Sequence, residues 1–296
     1  MKPVVSVVMP TFNMAAYIEE AIRSVLLQSF ENFEIVIVDD GGKDNSLEIA
    51  QSFHDPRIRI LCQSNRGLAG ARNTGIASSR GEFIALLDPD DRWHVDKLAK
   101  HVNHLRANPH VGISYAPSHL IDEQGGYIGV TQTPKIRNVT AAHIIARNPV
   151  GNGSAAVLRA TALADIAFPH PQEPDRVCYF DEDFRQSEDI ELWVRMAVKT
   201  NWAFEGLQQP LTDYRVVSGG LSANVVRQFE SWERMIEKTR SYAPDFIQKH
   251  EPRARAYQLR YLARRAIHMR DVGFARQLTL QALKSYPAIC LEEPVK

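Results

Sequence analysis

Two compact Val/Ile-rich runs, Val4–Met9 and Glu34–Val38, each closing on polar or turn-forming residues, limit what this chain can fold into more than any other feature. Apolar runs without polar alternation belong to strands buried on both faces, and such strands pair in parallel sheets covered by helices. Between the two runs, Ile18, Ala21, Ile22, Val25 and Leu26 recur at helical spacing and form one apolar stripe. Arg57–Leu61 and Glu82–Leu87 are shorter strand candidates, and helical patterns at Ser46–Phe53, Leu68–Ser78 and Val95–Ala107 fill the gaps. Strand, helix, strand at this spacing is a crossover unit, so the expected class is α/β, with a mostly parallel sheet flanked by helices. Ligands of such sheets lie beyond the carboxyl ends of the strands. The residues to examine for function are therefore Thr11 and Asn13, Asp39 and Asp40, and Asp88, Asp90 and Asp91.

Beyond residue 110 the pattern turns β-like and irregular, with Val111–Ala116, a turn at Gly125–Gly126, and Ser154–Leu158. Phe168–Arg185 is rich in Pro and Asp and reads as a long substrate-facing loop. Ile190–Lys199 is helical again, and three further helices are expected near 225–241, 252–269 and 272–285, punctuated by Pro244, Pro252 and Gly273. Lys+Arg and Asp+Glu are equal at 35 each, so no global field steers the chain toward nucleic acid. Three widely spaced cysteines form neither a disulfide framework nor a metal pattern, which fits a reducing cytoplasm. No apolar run approaches the roughly 18–20 residues of a membrane span, and Met1–Thr11 reads as a strand rather than a secretory leader.

Four segments carry chemistry. In GEFIALLDPDD a strand delivers Asp88, Asp90 and Asp91 within four residues, with Pro89 forcing a turn. Crowded carboxylates repel, and a hard divalent cation such as Mg²⁺ or Mn²⁺ would offset them; the plainer reading is an acidic turn before the next helix. In FEIVIVDDGGKDNS, Asp39 and Asp40 end a buried strand where a carboxylate can meet a nucleotide base or ribose, and Asp44, Asn45 or Ser46 caps the following helix. In NRGLAGARNTG, Gly67 and Gly70 permit close backbone approach and Arg72 could reach a diphosphate; tight helix packing and a surface arginine are the alternatives. In QSEDIELWVRMA, Glu188 and Asp189 precede a helix whose dipole favours the anion, so either carboxylate can accept a proton or simply form an acidic first turn. His101 and His104, three apart on a helix, read as a solvated face.

Taken together and in this order, VSVVMPTFN, QSFENFEIVIVDDGGKDNS, NRGLAGARNTGI, GEFIALLDPDD, Glu188–Asp189 with LWVRMA, and YRVVSGGLS resemble the family 2 glycosyltransferases of the GT-A fold, over roughly residues 3–220. The resemblance implies a Rossmann-like mixed sheet and an inverting enzyme that takes its sugar from a nucleotide-diphospho-sugar, UDP being the commonest nucleotide. It implies that Pro10, Thr11 and Asn13 line the base and ribose pocket, that Asp40 holds the base, and that Gly67 and Arg72 lie near the base or diphosphate. Asp88 and Asp90 match the family's Asp-x-Asp motif, with Asp90 on a Mn²⁺ or Mg²⁺ ion and Asp88 toward the ribose or metal, and Asp189 matches the catalytic base. Trp93, Glu188, Trp193 and Arg215 are candidates for the acceptor side or its loop, although the two tryptophans read first as buried core residues. Relatives often carry a His just after the Tyr-Arg pair; here Val216 and Val217 follow, which shifts that work to Arg215 or Ser218. The signature and membrane helices of processive synthases are absent, which favours transfer of one sugar to a carbohydrate or lipid-linked glycan.

Residues 1–224 are expected to form the transferase domain and 225–296 a C-terminal helical extension. The extension holds 14 Lys+Arg against 8 Asp+Glu. It reads first as a solvated cap that completes the fold or a homodimer, and second as a peripheral contact with anionic lipid at the inner membrane face. Two rivals stay open at this level. A nucleotidyltransferase shares the sheet but usually starts with a Gly-rich basic loop where this chain has PTFNMAAY, and a silent sugar- or partner-binding module would be expected to have lost Asp90 or Asp189.

Overall fold

The computed structural model describes residues 2–217 and 225–292. Thirteen strands run in chain order: β1 Val5–Thr11, β2 Phe33–Asp39, β3 Ile58–Cys62, β4 Phe83–Leu86, β5 Arg92–Trp93, β6 Val111–Tyr115, β7 Ser118–Ile121, β8 Tyr127–Gln132, β9 Ala156–Arg159, β10 Phe168–Pro169, β11 Val177–Cys178, β12 Ala203–Gly206 and β13 Thr212–Arg215. The helices are α1 Ile18–Leu26, α2 Ser46–Gln51, α3 Gly67–Ala77, α4 Lys97–Ala107, α5 Ala141–Ala146, α6 Ala160–Ala164, α7 Glu188–Lys199, α8 Val225–Tyr242, α9 Pro244–His268, α10 Val272–Ser285 and α11 Ile289–Glu292.

The central sheet has the order β12-β6-β9-β4-β1-β2-β3. All its neighbours are parallel except β9, which runs antiparallel to both β4 and β6. The two Val/Ile-rich runs are the adjacent central strands β1 and β2, and every residue of both is buried. One face packs on α1 and α4 through Ile18, Ile22, Val25, Leu98 and Val102. The other packs on α3, α5 and α7 and extends to Trp232, Met235, Ile236 and Ile247 of the C-terminal helices, so that layer shares one core with the sheet. The boundary expected at residue 224 falls outside the described residues.

A second sheet, β5-β13-β7-β8, lies beyond the carboxyl end of β4. Phe168–Arg185 is not wholly irregular, since it contains the short antiparallel pair β10–β11. α9 runs through Pro252, where a helix start was expected. The proline forfeits one backbone donor, and ion pairs from its neighbours, Arg255 to Glu251 and Arg253 to Glu292, hold that turn. His101 is also not on a solvated face: it is fully buried with Nδ1 on the Ser114 hydroxyl at 2.7 Å, and His104 Nδ1 meets the same hydroxyl at 2.8 Å.

Candidate active site

The DPDD segment folds as a turn in which the Asp91 N–H donates to the Asp88 carbonyl at 3.0 Å, with Pro89 at the position that favours its fixed φ. Two strands grip the turn. Ser154, just before β9, accepts the Asp88 N–H on its hydroxyl at 2.9 Å, while its carbonyl accepts the Trp93 indole N–H at 3.0 Å. From β13, the Arg215 N–H donates to Asp91 Oδ1 at 2.8 Å and the Arg215 Nε donates to the Asp90 carbonyl at 2.7 Å. The rest of that guanidinium donates to the Asp122 and Glu123 carbonyls and to Glu20. Arg215, an acceptor-side candidate, is thus a clamp on the acidic turn, its side chain 2% exposed. Ser218 lies outside the described residues.

Arg72 is likewise not free to reach a ligand. Its guanidinium is fully buried beside the Phe180 ring, donating to Asp88 Oδ1 at 2.7 Å and to Glu188 Oε1 at 2.5 Å. Despite burial, the charges of Asp88, Glu188 and Asp189 hold it firmly protonated. One arginine on α3 therefore ties the acidic turn after β4 to the first turn of α7, across 116 residues of sequence. Gly153 leaves room for this pair: a Cβ there would come within 2.6 Å of Arg72 Nη2 and 3.2 Å of Asp88 Oδ2. Glu188 is buried on Arg72, which removes it from the acceptor side.

The electrostatics converge on one place. Burial, then the charge of Asp88, pushes the Asp90 carboxyl up to about 6. Burial, then the charge of Glu188, pushes Asp189 up to about 7, with Arg72 pulling the other way. Asp91 is raised by burial and by both neighbouring aspartates. Tyr214, absent from the expected set, has its phenol raised by burial and by the charges of Asp91, Asp88, Asp90 and Asp189 together. Tyr214 thus senses both the acidic turn and Asp189, and the Arg72 bridge between Asp88 and Glu188 holds the two segments together.

The loops after β1 and β2 are bonded to each other. The Asp40 N–H donates to the Thr11 carbonyl at 2.9 Å, and Asn13, in a left-handed conformation, accepts the Lys43 N–H at 2.8 Å. Pro10 is buried in β1, and the buried Thr11 hydroxyl has no protein partner among the described residues. The Asp40 carboxylate accepts from Gln63 Nε2, the Arg66 N–H and the Gly67 N–H, so it caps α3. Three of its roughly four acceptor sites are thereby used. Gly67 makes that cap with φ at +77°, a conformation that side chains rarely adopt.

Of the two readings open for Trp93 and Trp193, both side chains take the core one. Trp93, 5% exposed, packs in the α1–α4 core, and Trp193 is fully buried in the core on the opposite sheet face. Both lack the exposure a sugar-stacking surface needs. The missed residues had little signal: Ser154 sits in an ordinary-looking Asn-Gly-Ser loop, and Tyr214 on a short polar strand. Arg72 did have one, since α3 carries Gly or Ala at 67, 69, 70, 71, 75 and 77. Small residues all round a helix mean packing on several sides, where an arginine must be paired.

Solved structures share this architecture. The S. aureus TarS 1-349 complex with UDP-GlcNAc superposes with a TM-score of 0.61 at 19% identity, covering 96% of this chain and 92% of that one. The mannosyltransferase PcManGT of Pyrobaculum calidifontis, in complex with GDP-Man and Mn²⁺, gives 0.61 at 20% identity, over 100% and 77%. A mixed sheet of this order with acidic strand ends is the GT-A arrangement. The sequence model of Glycosyl transferase family 2 matches residues 6–166, just over half the chain, and the chain belongs to that family.

Among curated relatives, the Escherichia coli UDP-Glc:alpha-D-GlcNAc-diphosphoundecaprenol beta-1,3-glucosyltransferase WfgD is 28% identical over 257 residues, 86% of this chain and 90% of that protein. An uncharacterized glycosyltransferase of Rickettsia conorii is 32% identical over 217 residues, 73% of this chain and 33% of its own. The chain thus spans about a third of that relative's length.

Proposed function

We propose that this chain transfers one sugar from a nucleotide-diphospho-sugar, UDP being the first candidate, to an acceptor hydroxyl in surface-polysaccharide or lipid-linked glycan synthesis, with inversion and with help from a divalent cation. The observation that carries the reading is the bridge by which Arg72 ties Asp88 of the acidic turn to Glu188, the neighbour of Asp189. A nucleotidyltransferase needs no general base beside its acidic turn, whereas glycosyl transfer to a hydroxyl needs both groups.

The acidic turn fits a hard cation. Its donors are all oxygen, and burial, then the charge of Asp88, lifts the Asp90 carboxyl to about 6, a penalty that a bound cation would offset. Among the described residues no cluster of three or more His, Cys, Asp or Glu side chains is arranged to hold an ion alone. That suits an ion completed by diphosphate oxygens and water. Asp90 would hold it with help from Asp88, and a bound ion supplies charge neutralisation at the departing diphosphate. The protein's own groups do the rest. Pro10, Thr11, Asn13, Asp40 and Gly67 line the donor wall, the remaining acceptor site of Asp40 and the unpartnered Thr11 hydroxyl facing base or ribose.

Asp189 takes the proton of the attacking hydroxyl, its affinity near neutrality matching that task. Arg72 positions the acidic turn through Asp88 and the first turn of α7 through Glu188. Attack from the face opposite the leaving group needs one base and no carboxylate nucleophile, which gives inversion in a single displacement. We also read residues 1–224 as the transferase domain and 225–296 as its helical extension. Isothermal calorimetry with UDP, GDP, dTDP and the corresponding triphosphates, with and without Mn²⁺, tests the reading. Wild type should bind one diphosphate in a Mn²⁺-dependent way, and Asp90→Ala should lose only the Mn²⁺-dependent part. Equal loss in chelator would remove Asp90 from the ion, and preferred binding of a triphosphate would favour nucleotidyl transfer.

A further inference from the structure

α9 and α10 pack as an antiparallel hairpin whose joint is a tight turn: α9 ends at His268, Met269 caps it, Arg270 takes a left-handed conformation with φ at 61°, and Asp271 starts α10. Within six residues at this tip, Ile267 is 59% exposed, Met269 63% and Val272 73%. Single exposed apolar residues need no explanation, but three adjoining ones at the end of a hairpin do. Around them five arginines lie between 260 and 276, against one carboxylate, Asp271. That carboxylate is engaged in capping α10, accepting the Phe274 N–H at 2.9 Å. Arg264, Arg270 and Arg276 are exposed.

We propose that the α9–α10 tip docks on an anionic lipid surface, with Ile267, Met269 and Val272 entering the headgroup–acyl boundary and Arg264, Arg270 and Arg276 meeting lipid phosphates. The two halves of the feature demand the same partner. Apolar side chains projecting from a sharp turn suit shallow insertion, and surrounding arginines suit a surface of fixed negative charge. A second copy of the chain fits poorly, because a two-fold contact through this tip sets arginines against arginines. Three side chains also fall well short of the area that a stable dimer buries. Among the described residues no helix is long and apolar enough to cross a membrane, so this contact is peripheral. It stands or fails independently of the transfer reaction.

The test is flotation of the full chain with phosphatidylglycerol-rich vesicles, phosphatidylcholine vesicles as the control, at low and high salt. Wild type should float with the anionic vesicles and dissociate in high salt. Each arginine near the surface is worth about fivefold in partition, so Arg264→Glu with Arg270→Glu should weaken binding by about twentyfold or more. Ile267→Ser with Met269→Ser and Val272→Ser should weaken it by about tenfold. All five positions are exposed, so both variants should keep the wild-type unfolding midpoint and circular dichroism. Absence of flotation at low salt, or equal flotation of wild type and both variants, would overturn the proposal. So would a concentration-dependent dimer in sedimentation that the serine variant abolishes, since it assigns the tip to a second copy.

Discussion

Replacing Arg72 by methionine removes a fully buried cation from between two carboxylates, Asp88 at 2.7 Å and Glu188 at 2.5 Å. The Glu188 side chain is 7% exposed, so its charge has almost no water to turn to. Breaking a buried pair by removing one partner costs about 3–5 kcal/mol, because the remaining charge stays desolvated. Arg72→Met should therefore lower the unfolding free energy in urea by about 3 kcal/mol or more. It should also slow transfer, since the acidic turn and the first turn of α7 lose their shared anchor. Adding Glu188→Gln neutralises the stranded charge and should restore at least about 1 kcal/mol of the stability without restoring the rate. A single variant with wild-type stability and turnover would refute the reasoning, as would a double variant whose losses simply add.

Other outcomes follow from neighbouring contacts. Gly153→Ala places a methyl against the Arg72–Asp88 pair, which two carboxylates hold in place, so transfer should fall about tenfold or more with the fold intact; an unchanged rate would show that the pair has room to move. At the opposite end of the sheet, Glu34 is buried, which alone would raise its carboxyl, yet hydrogen bonds from Arg80, Ser6 and Arg59 bring it down to about 2. A folded-state value below the ordinary 4.5 gives stability that is present above that pH and lost as pH falls from 4.5 toward 2. The advantage of wild type over Glu34→Gln, roughly 2–3 kcal/mol at pH 7, should then shrink over that window in chemical unfolding. A difference that does not change with pH would exclude this role for Glu34.

Much of this was legible before the coordinates, for a definite reason. β1, β2 and β4 are buried on both faces, so their sequences are nearly continuous apolar runs, broken within by Ser6 and Glu34, that end where the sheet ends. The acidic turn and Glu188–Asp189 stood out because carboxylates at strand and helix ends are written locally. The second sheet was not legible: β13 reads Thr-Asp-Tyr-Arg, with neither alternation nor apolar run, and exists because Arg215 is anchored by carbonyls of the β7–β8 turn and the acidic turn. The structural duties of Arg72 and Arg215 are hidden from the sequence for the same reason. An arginine's partner can be more than a hundred residues away, as Glu188 is from Arg72, and no local pattern announces it. Trp93 and Trp193 were ambiguous because an indole in a helix or strand carries the same letters whether it stacks on a sugar or fills the core.

The measurement that bears most directly on the central claim is the single-turnover transfer rate of Asp189→Asn, taken beside its donor affinity. Asparagine preserves shape and removes the proton acceptor, so the donor should bind as to wild type while transfer falls by about 10²-fold or more. Transfer at the wild-type rate, or a loss of donor binding that accounts for the whole effect, would contradict the assignment of Asp189 as the base that meets the acceptor beside the acidic turn.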